Sequence, residues 1–440
     1  MKKLSVSKIE WWSKLMFCLL GIINCLPVVY DWIKPAYQLA TMMVFLITSW
    51  LLWGKKYRDK HFIWLFALFL GTQFLATFAN ARSHLIGNLV HIVFVMSICL
   101  ITLVGDKEVG EKLVKWLAIC LQFFSFACSV FALALAVSGL STTLYYGKHV
   151  ALRLGFHGGR LFGLLNPNGG ALLAVISMTL AVYLYRHYPQ YKKALMTNMA
   201  LQFIYFSLQQ SRGALLCAMT VLFLLTAFVF KKERIRQQIL LLMTSFLLLF
   251  SAYFMTIKVA EKYGEFIRSE SIERLESADD EGEYGESREF SVKSGSRSQI
   301  WVRALKMGQK QPVFGYGFRN IKPNMAKFFK TFKMKEALGG GFHNIFLTVF
   351  VASGMLGLVS FIVLLAYIAF SFSKYILLSD NVDGKIIMAL ALAYLPVQLV
   401  ESIIMYSPSG FNIIFWFLVG IGFYYNELWM REGKNSETLS

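Results

Sequence analysis

Apolar runs of about 17–25 residues recur twelve times in this 440-residue chain, each long enough to cross the hydrocarbon core of a bilayer. They lie near 12–30, 35–53, 61–80, 84–104, 114–138, 161–185, 194–210, 213–230, 239–257, 343–371, 386–404 and 412–428. Lipid offers backbone N–H and C=O groups no partner, so runs of this length predict helices that satisfy themselves. The predicted fold class is an all-α polytopic membrane protein of about 12 transmembrane helices. Composition agrees: 57% of residues are hydrophobic and only 16% are charged, against roughly 25% charged in an average soluble domain. A soluble enzyme is excluded on that balance.

The formal net charge of +19 raises the question of a nucleic-acid partner. Its distribution answers it. With the N-terminus in the cytoplasm, cytoplasmic segments hold 22 Lys and Arg, the short outer loops six, and one long loop the remaining sixteen. Short loops orient a membrane protein by keeping positive charge inside, while long loops cross regardless. The predicted topology has both termini cytoplasmic and a large extracytoplasmic loop between helices 9 and 10. The basic residues serve orientation and contact with anionic lipids, and no nucleic acid is expected. The six cysteines all lie in or beside apolar runs and form no metal-ligand pattern, so neither a metal nor a cofactor is expected. The start, MKKLSVSK before an apolar run, resembles a signal peptide but lacks a small-residue cleavage site and reads as a retained first helix.

Three regions follow: helices 1–9 over 1–257, an extracytoplasmic loop over 258–342, and helices 10–12 with a short tail over 343–440, together one integrated membrane domain. The loop is the only long polar stretch. Gly264 to Glu289 is acidic and poor in apolar residues, which predicts mobility. From Ser296, Ile300, Trp301, Ala304, Leu305 and Gly308 recur at helical spacing, so an amphipathic helix is predicted to about Gln311. Ile321 to Leu338 alternates lysines with Phe328, Phe329 and Phe332, as an interfacial helix does.

Several polar residues fall at the outer membrane surface on this topology. His343 stands where the tenth span begins; a neutral imidazole there can take a proton from a hydroxyl, or simply anchor the helix end. Arg212 sits in a tight outer turn between spans seven and eight. Its planar fork suits a pyrophosphate, and a snorkelling arginine is the alternative. Arg297 shares a face with Trp301 and Ala304 and so points toward the bundle, either as a binding group or as a helix-start arginine with a buried stem. Arg160 precedes Asn166-Pro167-Asn168-Gly169-Gly170, which predicts a broken helix lining a cavity. Asn166 and Asn168 either meet hydroxyls there or rejoin freed backbone groups. Glu401 lies late in span eleven and needs a partner such as His343 or an arginine. His84, Asn88 and His91 share one face of span four and predict a polar helix contact.

With these residues in view, the chain resembles the O-antigen ligase and Wzy-type polysaccharide polymerase superfamily of bacterial envelope glycosyltransferases. The resemblance rests on Arg160-Leu161-Phe162-Gly163 with Asn166-Pro167-Asn168, on Ser211-Arg212-Gly213-Ala214, on Arg297 with Trp301, on Pro312, Gly315 and Gly317, and on His343-Asn344 followed by Ser353-Gly354. It covers about 160–371 by motif and the whole chain by topology. It implies a GT-C-like, metal-independent, inverting transferase at the outer face of the cytoplasmic membrane, whose donor is an undecaprenyl-pyrophosphate-linked oligosaccharide. Arg212 and Arg297 would grip the pyrophosphate, His343 would be the general base with Glu401 as a possible partner, and Arg160, Asn166, Asn168 and Asn344 would line the substrate cavity. A polymerase of capsule, exopolysaccharide or O-antigen repeat units is expected, since polymerases are numerous in the superfamily. A ligase of O-antigen or wall polysaccharide is the alternative, and a lipid-linked-sugar flippase or a non-catalytic scaffold lies further off. A flippase and a chain-length regulator of the same pathway are possible partners. The acidic segment 279–289 is a departure from the family.

Overall fold

The computed structural model describes residues 6–26, 29, 39–43, 46–47, 59–101, 103, 107–146, 150–157, 159–229, 235–275, 295–328, 341–406 and 409–437. Helices dominate: α1 Val6–Ile23, α2 Lys60–Ala79, α3 Leu85–Ile101, α4 Lys107–Val137, α5 Pro167–His187, α6 Lys192–Gln209, α7 Arg212–Leu224, α8 Ile235–Leu275, α9 Gly295–Gly308, α10 Phe318–Phe328, α11 Ile345–Leu378, α12 Val382–Val397 and α13 Gly410–Glu437. Seven helical stretches among the described residues are long and apolar enough to cross a membrane: Lys60–Ala79, Val109–Val137, Pro167–His187, Arg212–Val229, Arg236–Tyr263, Ile345–Leu378 and Gly410–Arg431. The chain is thus a helical, multi-pass membrane protein.

The other expected spans fall short of that length or hydropathy, or lie largely outside the described residues. Helix α3 is apolar but short, at 17 residues, and α12 has only 16. Helix α1 carries Lys8, Glu10 and Lys14, and α6 carries Asn198, Gln202 and Gln209. Most of the expected span 35–53 lies outside the described residues.

The chain divides into two compact units, one of Met1–Gly21, Lys34–Val114 and Lys293–Ser440, the other of Ile22–Ile33 and Lys115–Val292. In the first unit α11 is the axis, packing against α2, α9, α10, α12 and α13. Its helix is interrupted at Gly354, where φ is +66° and ψ −166°. Backbone groups freed by such a break must find partners when buried, and the 312–317 turn supplies them. Tyr316 N–H donates to Val351 O at 2.9 Å, Gly317 N–H to Ala352 O at 2.8 Å, and Met355 N–H to Pro312 O at 2.7 Å. Close approach demands glycine on both sides. A Cβ on Gly315 would lie 2.6 Å from the Ser353 and Gly354 backbone, and one on Gly354 would lie 2.1 Å from Val313 O. The turn after α9 is therefore fused to a break in a long apolar helix.

Helix α9 begins and ends close to the sequence expectation. Its inward face is Ile300, Ala304 and Met307, while Leu305 is exposed, because the 3.6-residue period turns position 305 away from the packed side. Helix α10 follows, with Ile321 and Met325 buried and Lys322 exposed. It is described to Phe328, and 329–340, with the rest of the expected helix to Leu338, lie outside the described residues.

In the second unit α5 packs against α6 and α7, and α6 against α8. A three-stranded antiparallel sheet, absent from the all-α expectation, precedes α5: β1 Thr142–Tyr146, β2 Val150–His157 and β3 Arg160–Phe162, in the order β1-β2-β3. Leu152 and Leu154 turn inward while Arg153 is exposed, the period-two pattern of a half-buried strand. A polar seam joins α4, α5 and α6, in which Asn198 donates to Gln122 Oε1 at 2.6 Å and Gln202 to Ser129 Oγ at 2.9 Å. Helix α8 does not end where the polar loop was expected to begin. It continues to Leu275, since no proline interrupts 258–275, and 276–294 lie outside the described residues. Its membrane portion exposes Leu240, Leu247, Leu248 and Met255, as a lipid-facing helix does.

Candidate active site

Helix α11 begins at Ile345, and the three residues before it form a sharp corner. Gly341 has φ +96° and His343 φ +50°. A Cβ on Gly341 would lie 2.7 Å from Thr348 Oγ1, so glycine is required there both for space and for conformation. A histidine in the left-handed region is uncommon and costs about 1–3 kcal/mol. The surrounding bonds hold it: Phe342, fully buried, donates its N–H to Thr348 Oγ1 at 3.2 Å and accepts from Trp301 Nε1 at 3.1 Å. Asn344 caps the helix, accepting from Leu347 N–H at 3.1 Å, and its Nδ2 donates to Leu399 O at 3.0 Å. Its amide is engaged at both ends in holding the corner, which is the work of a structural cap.

Helix α12 stops at Val397, so Glu401 lies in a non-helical segment rather than late in a span. The reason is Pro396 in the last turn, followed by Gln398, fully buried, whose Oε1 accepts from Ile403 N–H at 3.0 Å and Ile404 N–H at 3.3 Å. Those bonds stabilise a turn in place of further helix. The backbone O of Gln398 also accepts from Ile345 N–H at 3.0 Å, bringing the segment to the foot of α11.

Glu401 then bridges two candidates. Its Oε1 accepts from Arg297 Nη2 at 2.8 Å, and its Oε2 lies 3.0 Å from His343 Nδ1. The carboxylate side chain is 14% exposed, and those of Arg297 and His343 are 35% and 30% exposed, so a base and a cation open outward from a mostly buried acid. A carboxylate at Nδ1 favours the tautomer with its proton there and leaves the lone pair on Nε2. The arrangement can orient an imidazole as a base and stabilise it once protonated.

Arg160, Asn166, Asn168 and Arg212 belong to the second unit. Arg160 opens β3, donating from Nε to Gln209 O at 2.8 Å and from Nη2 to Asn168 Oδ1 at 2.7 Å. Asn166 is not part of a break inside a helix. It is the N-cap of α5, accepting from Gly169 N–H at 2.8 Å, with Pro167 at the first helical position, where its missing N–H costs nothing. Arg212 opens α7 behind the Ser211 cap, after Gln210 in the left-handed conformation at φ +47°.

Two further features were outside the sequence reading. Tyr406, at φ +61°, stacks on Phe318 at 4.6 Å between ring centroids and donates to Gln73 Oε1 at 2.8 Å, pinning the far end of the Glu401 segment. Burial pushes its phenol well above the ordinary range. Thr348 and Ser402, both buried, meet at 3.1 Å beside the His343 corner. No local pattern in the sequence marks these residues; each acts on a segment remote along the chain. Asn88 and His91 do make an inward polar contact, Asn88 Oδ1 accepting from Arg319 N–H at 2.8 Å and His91 stacking on Phe318, whereas His84 precedes the helix at φ +50°. Among the described residues no group of His, Cys, Asp and Glu could hold a metal ion.

Residues 197–362 match the family model described as O-antigen ligase, named Wzy_C. The chain carries an O-antigen ligase domain. The domain spans Arg212, Arg297 and His343, while Arg160 and Asn168 precede it and Glu401 follows it. The His343 corner is thus completed by a residue from outside the matched O-antigen ligase segment. A comparison with curated proteins finds no significant match.

Proposed function

We propose that this chain is a polysaccharide polymerase that joins undecaprenyl-pyrophosphate-linked oligosaccharide repeat units at the outer face of the cytoplasmic membrane. The twelve-span topology, with the 258–342 region outside and both termini inside, is part of this reading. The observation that carries it is the Glu401 bridge between Arg297 and His343, set in and beside an O-antigen ligase domain. His343 Nε2 accepts the proton of the acceptor hydroxyl as its oxygen attacks the anomeric carbon of the donor. The bond from that carbon to the pyrophosphate oxygen breaks, and the lipid pyrophosphate leaves with the electron pair, inverting the anomeric centre. Arg297 stabilises the charge that develops on the leaving group, a term that is large in such reactions. Glu401 directs the imidazole and balances it once protonated.

The alternative is a ligase that transfers finished polymer, and the family match is common to both. Product analysis of a deletion strain separates the two. Loss of a polymerase leaves single repeat units on the final acceptor; loss of a ligase leaves full-length polymer on undecaprenol. The first pattern is expected here, and the second would replace polymerase by ligase. A flippase and a chain-length regulator remain the proposed pathway partners, and anionic lipids the surrounding contact.

A further inference from the structure

The corner that presents His343 and the segment that presents Glu401 share one buried hydroxyl, besides the Asn344–Leu399 and Ile345–Gln398 bonds that also tie them. Thr348 has a single proton and two lone pairs on Oγ1. Its proton goes to Asn344 O at 2.8 Å. One lone pair receives Phe342 N–H at 3.2 Å, and the other receives Ser402 Oγ–H at 3.1 Å. The residues bound are the two that flank His343 and the one that follows Glu401. Thr348 is fully buried and Ser402 nearly so, so water does not substitute for these bonds. Gly341 is kept side-chain-free at this point, since its Cβ would lie 2.7 Å from Thr348 Oγ1 and 3.2 Å from Ser402 Oγ.

We infer that Thr348 and Ser402 are positioning residues for the transfer reaction, a hydroxyl clamp that sets the His343 imidazole against the Glu401 carboxylate. This rests on the proposed roles of those two residues. Threonine in a first helical turn often bonds back to the carbonyl four residues earlier and does nothing else. Here the same oxygen also gathers an N–H from the preceding corner and a hydroxyl from another element. One side chain therefore touches the backbone or side chain on either side of the 3.0 Å imidazole–carboxylate contact, closer along the chain to the two groups than the other bonds between these segments. Valine is close in shape to threonine and makes none of these bonds, whereas serine keeps them all.

The test uses the full-length chain in nanodiscs, with the lipid-linked glycan extracted from a host strain lacking this chain as the probe. Thr348→Val is expected to lower turnover about tenfold, as small misplacements of reacting groups do, with the donor KM within about twofold of wild type. Thr348→Ser is expected to restore turnover to within about twofold, and Ser402→Ala, which removes only one bond, to lose about threefold. Combined with Glu401→Gln, Thr348→Val is expected to add no further loss, because the pairing of carboxylate charge with imidazole that it supports is already gone. Wild-type turnover in both Thr348→Val and Ser402→Ala would overturn the clamp, as would a Thr348→Val loss that persists in full in the Glu401→Gln background. A loss matched by a lowered unfolding temperature, with no rescue by serine, would also overturn it. Wild-type turnover in Glu401→Gln alone would instead overturn the reading of Glu401 and His343 on which the clamp depends.

Discussion

Two arginines from the same chain are put to different use. Arg297 meets a carboxylate that also holds an imidazole, and all three side chains are partly open. Arg160 donates to a backbone carbonyl and a neutral amide, tying the start of β3 to the end of α6 and the first turn of α5. The first arrangement contains an acid, a base and a cation in contact, so charge can move through it during a reaction. The second fixes backbone. A guanidinium at a helix or strand end is thus informative about chemistry only once its partners are known, and the two arginines have almost the same standing when read from sequence.

The comparison can be broken at Arg297 first. Arg297→Lys is expected to lower transfer by about 100-fold in the nanodisc assay, because lysine cannot hold Glu401 and a phosphate oxygen with one planar fork. Near-normal transfer would reduce Arg297 to the same structural role as Arg160. A smaller and different effect is expected at the other site. Asn168→Ala removes the amide partner of Arg160 and is expected to destabilise the second unit by about 1–3 kcal/mol, the usual result of leaving a hydrogen-bonded charge short of a partner. Thermal unfolding followed by intrinsic fluorescence should register the change, with transfer per folded molecule altered less than about threefold. A large loss of transfer at unchanged stability would show that Arg160 and Asn168 meet substrate.

Much of this was legible along the chain because membrane helices advertise themselves by length and hydropathy. Helix α9 was readable from the spacing of Ile300, Trp301 and Ala304, and so was the inward direction of Arg297. His343 stood out because it follows a glycine run at the edge of an apolar segment. The bridge was readable only in part: a carboxylate at 401 calls for a partner such as His343 or an arginine, but nothing along the chain says that it meets both. Glu401 is 58 residues from His343 and 104 from Arg297, and neither distance leaves a periodic trace. Its segment looked helical because Leu399, Val400, Ile403 and Ile404 continue the apolar run. The side chain of Gln398 takes the N–H groups that a helix would have used. Asn166-Pro167 looked like a break inside a helix and is a helix start, since proline at a first helical position and proline in an interior look alike until the preceding residues are known to be extended. The strands at 142–162 were hidden by their shortness beside long apolar runs. The glycines of 315, 317 and 354 were visible, but their joint purpose needed the fold: one turn fits into one interrupted helix, backbone to backbone.

The central claim is that the His343 imidazole accepts the acceptor's proton. Its most direct test is His343→Ala in nanodiscs with the extracted lipid-linked donor, following bound donor and transferred product together. The account predicts donor retained at near wild-type occupancy and product formation reduced by at least about 100-fold. Product formed at the wild-type rate would contradict it.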